Sequence, residues 1–229
     1  MEIKSMFEDV RFLVLAGNYG SGKTEISLNI ALQSSIRMQT TLVDLDIVNP
    51  YFRSGEKAEE LRNAGIRVLM PTFAMTTVDI PALPAEIQSV FEMSAERVIF
   101  DVGGDDTGAA ALGRYYPSFM RHRERTEVMM VVNCMRPLTR NAEEILELAD
   151  RIQCRGRLRI DRLLNNTNLA GETTADMIME GEKICIECAA RMGRIPVVTT
   201  GIREVLDKCS LVTETMAIER HMKPEWMEK

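Results

Sequence analysis

Residues 14–32 read VLAGNYGSGKTEISLNIAL. The run RFLVLAG, 11–17, is apolar and has the length of a buried strand. KTEISLNIALQSSI, 23–36, places Ile26, Ile30 and Ala31 at helical spacing. Between them Gly17, Asn18, Tyr19, Gly20, Ser21, Gly22, Lys23 and Thr24 fit G-x-x-x-x-G-K-[ST] at every fixed position. Glycines let a backbone curl until its N–H groups converge on phosphate oxygens. The helix that follows adds its positive N-terminal end. Lys23 brings a charge to the β- and γ-phosphates, and the Thr24 hydroxyl can ligate Mg²⁺. Glu25, next in the chain, completes the candidate nucleotide-contacting set.

Working outward, strand-like and helix-like segments alternate. Strands are expected at 40–46, 66–70, 97–104, 127–133, 159–166 and 195–201. Helices are expected at 56–65, 84–95, 108–123 with a break at Pro117, 139–153 and 173–193. This order predicts one α/β domain over residues 1–229, a mostly parallel sheet with helices on both faces. Ligands then bind beyond the carboxyl ends of the strands. The tail from Arg203 has apolar spacing at Val205, Cys209, Val212 and Met216 and is expected to pack on the core or a partner.

Three motifs fall at strand ends. In LVDLDIVNPYFRS, 42–54, Asp44 and Asp46 close a strand. In VIFDVGGDD, 98–106, Asp101 follows an apolar run, as a Mg²⁺-binding carboxylate requires, and Gly103 and Gly104 let the backbone approach a γ-phosphate. The candidate metal ligands are thus Thr24, Asp44 and Asp101. In RLLNNTNL, 162–169, Asn165 and Asn166 are placed to meet a base. Asn168 stands where a guanine-reading loop carries an Asp. An amide offers one acceptor atom and would set its NH₂ against guanine donors, which favours adenine.

The ordered set GNYGSGKT, DLDIVNP, DVGGDD, VVNCMRP, LLNNTNL and IPVV resembles the MinD/ParA branch of phosphate-loop ATPases, which includes the CobQ/CobB amidases. The resemblance spans roughly residues 10 to 205. It implies Asp46 in switch I, orienting the attacking water, Asp101 as the Walker B residue, and Gly104 near the γ-phosphate. Lys23, Asp46 and Asp101 are the candidate catalytic residues. It further implies ATP and Mg²⁺ as cofactors, a homodimer, a client protein, and slow hydrolysis acting as a switch.

Family members carry a lysine directly after the first glycine of the loop, reaching into a dimer partner. Here that residue is Asn18, and truncating it is expected to change turnover little. Arg53 and Arg136 are the candidate replacement cations. The loop is also similar to those of UreG and HypB, nickel-insertion GTPases, with Cys185 and Cys188 as a C-x-x-C that a dimer axis could turn into a metal site. A CobQ/CobB-type ligase and a non-hydrolysing scaffold are the other readings.

Bulk properties narrow the classes. At 229 residues one core suffices. A net charge of −6 argues against a dedicated nucleic-acid binder, and the arginines in 151–162 read as a solvated turn. Five scattered cysteines fit reduced thiols and a cytoplasmic location. No apolar run reaches the length of a membrane span.

Overall fold

In the computed structural model, which describes residues 6–46, 55–70, 85–93, 95–104 and 106–222, the phosphate loop joins strand β1 (Phe12–Gly17) to helix α1 (Lys23–Ser35). Every residue of β1 is buried. Phe12, Val14 and Ala16 enter one core, and Leu13 and Leu15 enter another. A strand sends alternate side chains to opposite faces. An unbroken apolar run is therefore what a strand covered on both sides requires.

The remaining elements are β2 (Thr40–Leu45), α2 (Gly55–Asn63), β3 (Ile66–Leu69), α3 (Ala85–Ser89), β4 (Arg97–Val102), α4 (Asp106–Arg114), α5 (Tyr116–Arg121) and β5 (Thr126–Val132). Then come α6 (Ala142–Gly156), β6 (Arg162–Asn165), α7 (Ala175–Arg191), β7 (Val197–Gly201), α8 (Arg203–Leu206) and β8 (Glu214–Ala217). The strands form one sheet in the order β3-β2-β4-β1-β5-β6-β7-β8, with every pairing parallel. The α/β expectation is met. The chain runs from β1 out to β2 and β3, returns for β4, then continues on the other side through β5. That reversal beside β1 is the topological switch point, and the phosphate loop emerges there.

One core is knotted by aromatic rings. Phe119 sits 5.0 Å, centroid to centroid, from both Phe91 and Phe100. Each fully buried ring of this kind stabilises by about 1.5–3 kcal/mol. The other core packs Ile26 and Ile30 of α1 against Leu15, Leu42, Ile99 and Val131. This seats α1, and so fixes the loop from which it starts.

The structure differs from the sequence reading in three places. The break in 108–123 comes at Tyr115, and Pro117 sits in the first turn of α5, where its missing N–H costs nothing. The helix expected over 84–95 is regular only to Ser89. The tail is not one helical stripe. It makes the short α8 and then an eighth strand, with Met216 buried in the core and Val212 84% exposed.

Candidate functional site

The loop's shape is set by its glycines and by what packs on it. Gly22, the N-cap of α1, has φ +92, and a Cβ there would lie 2.2 Å from Asn166 Nδ2. A Cβ on Gly104 would lie 2.6 Å from the Tyr19 nitrogen, so the end of β4 backs directly onto the loop. Only glycine allows either approach. Lys23 is 7% exposed, and its Nζ reaches back across the loop to the Asn18 carbonyl at 2.9 Å. Tyr19, at the tip, is exposed.

Asp44 and Asp101 are register partners on β2 and β4, both buried. The Asp46 N–H donates to Asp44 Oδ1 at 2.8 Å. A Cβ on Gly103 would be 3.4 Å from the Asp46 carboxyl. The three carboxylates that the sequence singled out therefore meet at neighbouring strand ends. Burial pushes the Asp101 carboxyl up to about 6. A hydrogen bond from the Thr24 hydroxyl and the Lys23 ammonium pull it down, and Asp46 adds to the rise. Asp101 Oδ1 is buried and makes no hydrogen bond with any described residue. A buried carboxylate oxygen of this kind, beside a hydroxyl and further carboxylates, is an all-oxygen donor set that suits Mg²⁺.

On the other flank a cavity of about 190 Å³ lies between the loop and the ends of β6 and β7. Asn166, Asn168, Thr173, Arg220 and Met222 are among the residues that line it. The asparagines behave differently from expectation. Asn165 is fully buried and does not line the cavity. Its Nδ2 donates to the Ile178 carbonyl, and its Oδ1 accepts from the Thr167 N–H and hydroxyl. Asn166 reaches the site, but its amide is spent on protein: Nδ2 donates to the Ser21 carbonyl at 2.8 Å and Oδ1 accepts from Thr200 Oγ1. Asn168 donates to the Asn166 carbonyl and accepts from the Ala170 N–H within its own loop. These amides brace the cavity.

Glu25 lines the same cavity, and its carboxylate is engaged by the chain. Its carboxylate accepts from the N–H groups of His221 and Met222. One turn on, Asn29 pairs with both the N–H and the carbonyl of Glu219, each at 2.8 Å. Arg220 donates to the Ala170 carbonyl. Residues 218–222 thus form a strap clamped by α1, and Ile218, Arg220 and Met222 wall the cavity. Sequence reading missed Asn29, Thr200 and the strap. The one available signal was the i, i+4 pair Glu25 and Asn29 on a helix otherwise facing the core.

The loop after β5 flanks the phosphate loop. Asn18 Nδ2 donates to the Pro137 carbonyl at 2.7 Å. A Cβ on Gly20 would lie 3.3 Å from Arg136 Nε. Arg136 is therefore at the site. Arg53, the other candidate cation, lies outside the described residues.

Cys185 and Cys188 do not support a metal site at a dimer axis. Both are fully buried within one chain, as part of its core, so neither is presented at a surface where a dimer axis could pass. Among the described residues no cluster of His, Cys, Asp or Glu could hold a metal through three or more such ligands. In the arginine-rich stretch, Arg162 pairs with Glu127. No helix among the described residues is long and apolar enough to cross a membrane.

No protein-family model matches this chain, and no curated protein does. Solved structures do. FtsY from Mycoplasma mycoides is 14% identical with TM-score 0.52, over 82% of this chain and 58% of that one. The signal recognition particle 54 kDa protein from Aeropyrum pernix K1, in complex with GDP, is 22% identical with TM-score 0.51, over 83% of this chain and 42% of that one. The kinase domain of VpsO is 16% identical with TM-score 0.51, over 70% of this chain and 87% of that one. The chain thus spans little more than half the length of the first of these. Identities this low speak to the fold alone, which is that of the phosphate-loop NTPases.

Proposed function

We propose that this chain binds Mg·ATP at the 17–24 loop and hydrolyses it slowly, as a nucleotide-dependent switch of the MinD/ParA branch that acts on a client protein, with a homodimer as the working unit. The observation that carries the proposal is the convergence of Lys23, Thr24 and Asp101 at the switch point beside β1.

Within that site the loop's backbone and Lys23 hold the phosphates. Thr24 and Asp101, with Asp44 beside them, would hold Mg²⁺, which when bound neutralises charge on the β- and γ-oxygens. Asp46 orients the attacking water. The water oxygen bonds to the γ-phosphorus, the bond to the bridging oxygen breaks with its electron pair leaving on ADP, and the water's proton is released with phosphate.

Adenine is favoured by the cavity, though not through the asparagines. Among its described lining residues Glu25 is the only carboxylate, and two backbone N–H groups already occupy it. Guanine N1–H and its 2-amino group would find no free carboxylate there. Phosphate release from ATP and from GTP, with each nucleotide competing against the other for binding, tests this. ATP binding tighter by about tenfold or more is expected from one unmatched donor pair. Tighter GTP binding would overturn the base assignment. Binding without phosphate release, even with Mg²⁺, would leave a scaffold in place of a switch.

A further inference from the structure

We infer that Arg136 is the second cation of the phosphate site, contacting the polyphosphate of a bound nucleotide, and that Asn18 is the residue that positions it. The inference rests on the nucleotide-binding reading above and adds residues that reading does not use.

The guanidinium lies against the phosphate loop. A Cβ on Gly20 would be 3.3 Å from Nε and 3.6 Å from Cζ of Arg136. Gly20 sits in the middle of the loop, so the group is within a side chain's reach of whatever the loop encloses. It is exposed, and it makes no hydrogen bond or ion pair with any described residue. An arginine without a carboxylate, laid over a phosphate cradle, is a cation with its fork open.

Its backbone, in contrast, is pinned. The Arg136 N–H donates to the Asn133 carbonyl at 3.0 Å, and Thr139 Oγ1 donates to the carbonyls of Asn133 and Arg136. Asn133 in turn is laced to the β6 loop, its Oδ1 accepting from the Asn168 N–H and its Nδ2 donating to the Asn168 carbonyl. The last pin comes from the phosphate loop itself. Asn18 Nδ2 donates to the Pro137 carbonyl at 2.7 Å, while its Oδ1 accepts from the Tyr19 N–H at 2.8 Å. One amide therefore fixes the tip of the phosphate loop and ties it to the residue after Arg136. A lysine at position 18 has no acceptor oxygen and could not bond the Tyr19 N–H in this way. Residue 18 thus acts through geometry, and residue 136 supplies the charge.

The charge has a use. As the bridging P–O bond breaks, negative charge builds on the leaving ADP and on the γ-oxygens, and fixed cations lower that barrier. An arginine in this role is worth roughly a thousandfold in rate. A solvated arginine is worth nothing measurable.

The test uses the full chain with Arg136→Ala, Arg136→Lys, Asn18→Ala and the double alanine variant. ATP and ADP affinities are measured by calorimetry, kcat and KM by phosphate release, and thermal melts confirm that each variant folds. Arg136→Ala should lower kcat by roughly 100-fold or more, and should reduce ATP affinity more than ADP affinity. Arg136→Lys should recover only part, because a point charge lacks the planar fork. The sequence alone predicts little change on truncating residue 18, but its bond to the Pro137 carbonyl reverses that expectation: Asn18→Ala should lower kcat by roughly tenfold, a loss that disappears when Arg136 is already alanine. Arg136→Ala with kcat and ATP-to-ADP preference within twofold of wild type would overturn the assignment. Losses that simply add in the double variant would overturn the positioning role of Asn18. A wild-type chain that binds no nucleotide overturns the nucleotide reading and this inference together, so the two failures are distinct.

Discussion

At the scale of single residues, the site is a set of buried polar groups that each need a partner. Asp101 is the clearest case. Its position was legible because an apolar strand ending in Asp is a local pattern, and the structure adds that burial raises its pKa and that Oδ1 makes no hydrogen bond with any described residue. Replacing it with Ala should keep ATP binding measurable while turnover falls by roughly 100-fold, and Asp46→Ala should behave alike. Steady-state rates equal to wild type in both would contradict the switch assignments. The asparagines show the limit of local reading. RLLNNTNL offers four candidate polar residues in a row, and only the packing of α7 and β7 decides which face the cavity. Asn165 turned into the core, one residue from Asn166, which holds the loop.

At the scale of elements, helix and strand positions followed from periodicity, whereas β8 did not. Val205, Cys209, Val212 and Met216 repeat at three and four residues, which mimics a helix face. What makes 214–217 a strand is its parallel pairing with β7, and the two residues that lead into it are held from another element. Glu182 of α7 is buried, and its Oε1 accepts from the Val212 N–H, the Thr213 N–H and Thr213 Oγ1. Glu182→Ala should therefore destabilise the fold by about 2–3 kcal/mol, since hydrogen bonds to a charged group are lost and buried donors are orphaned. Urea unfolding would show it as a lower midpoint, and a shift worth under about 0.5 kcal/mol would mean that β8 is held by its pairing and packing alone. A second element-scale effect follows pH. His122 stacks on Phe91 and lies tilted against Phe12, and burial, then Arg11, Arg121 and Arg125, lower its pKa below 6.5. The unfolded chain then binds this proton more readily, so its contribution to stability falls as pH drops below 6.5. Thermal melts between pH 5.5 and 7.5 should show a smaller decline for His122→Gln than for wild type. An identical decline would place the titration elsewhere.

At the scale of the whole molecule, the doubly wound sheet was predictable because strands and helices alternate throughout, and the reversal at β1 put the carboxylates beside the loop. The wall of the cavity beside the loop was not predictable, because it is made by contacts between segments far apart in the chain. Asn29 meets Glu219 across 190 positions in sequence, and nothing within either segment announces it. Asn29→Ala should loosen the strap and weaken ATP binding by roughly three- to tenfold, with the affinity for free tripolyphosphate unchanged, as expected when about 1 kcal/mol of hydrogen bonding is lost on the base side alone. The central claim, that the 17–24 loop is a nucleoside triphosphate site, is tested most directly by calorimetric titration of Mg·ATP into wild type and Lys23→Ala. The account predicts one ATP per wild-type chain, and an affinity lower by roughly 100-fold, about 2.7 kcal/mol, in the variant. No heat of binding to the wild type, or binding to Lys23→Ala within a few-fold of it, would contradict the account.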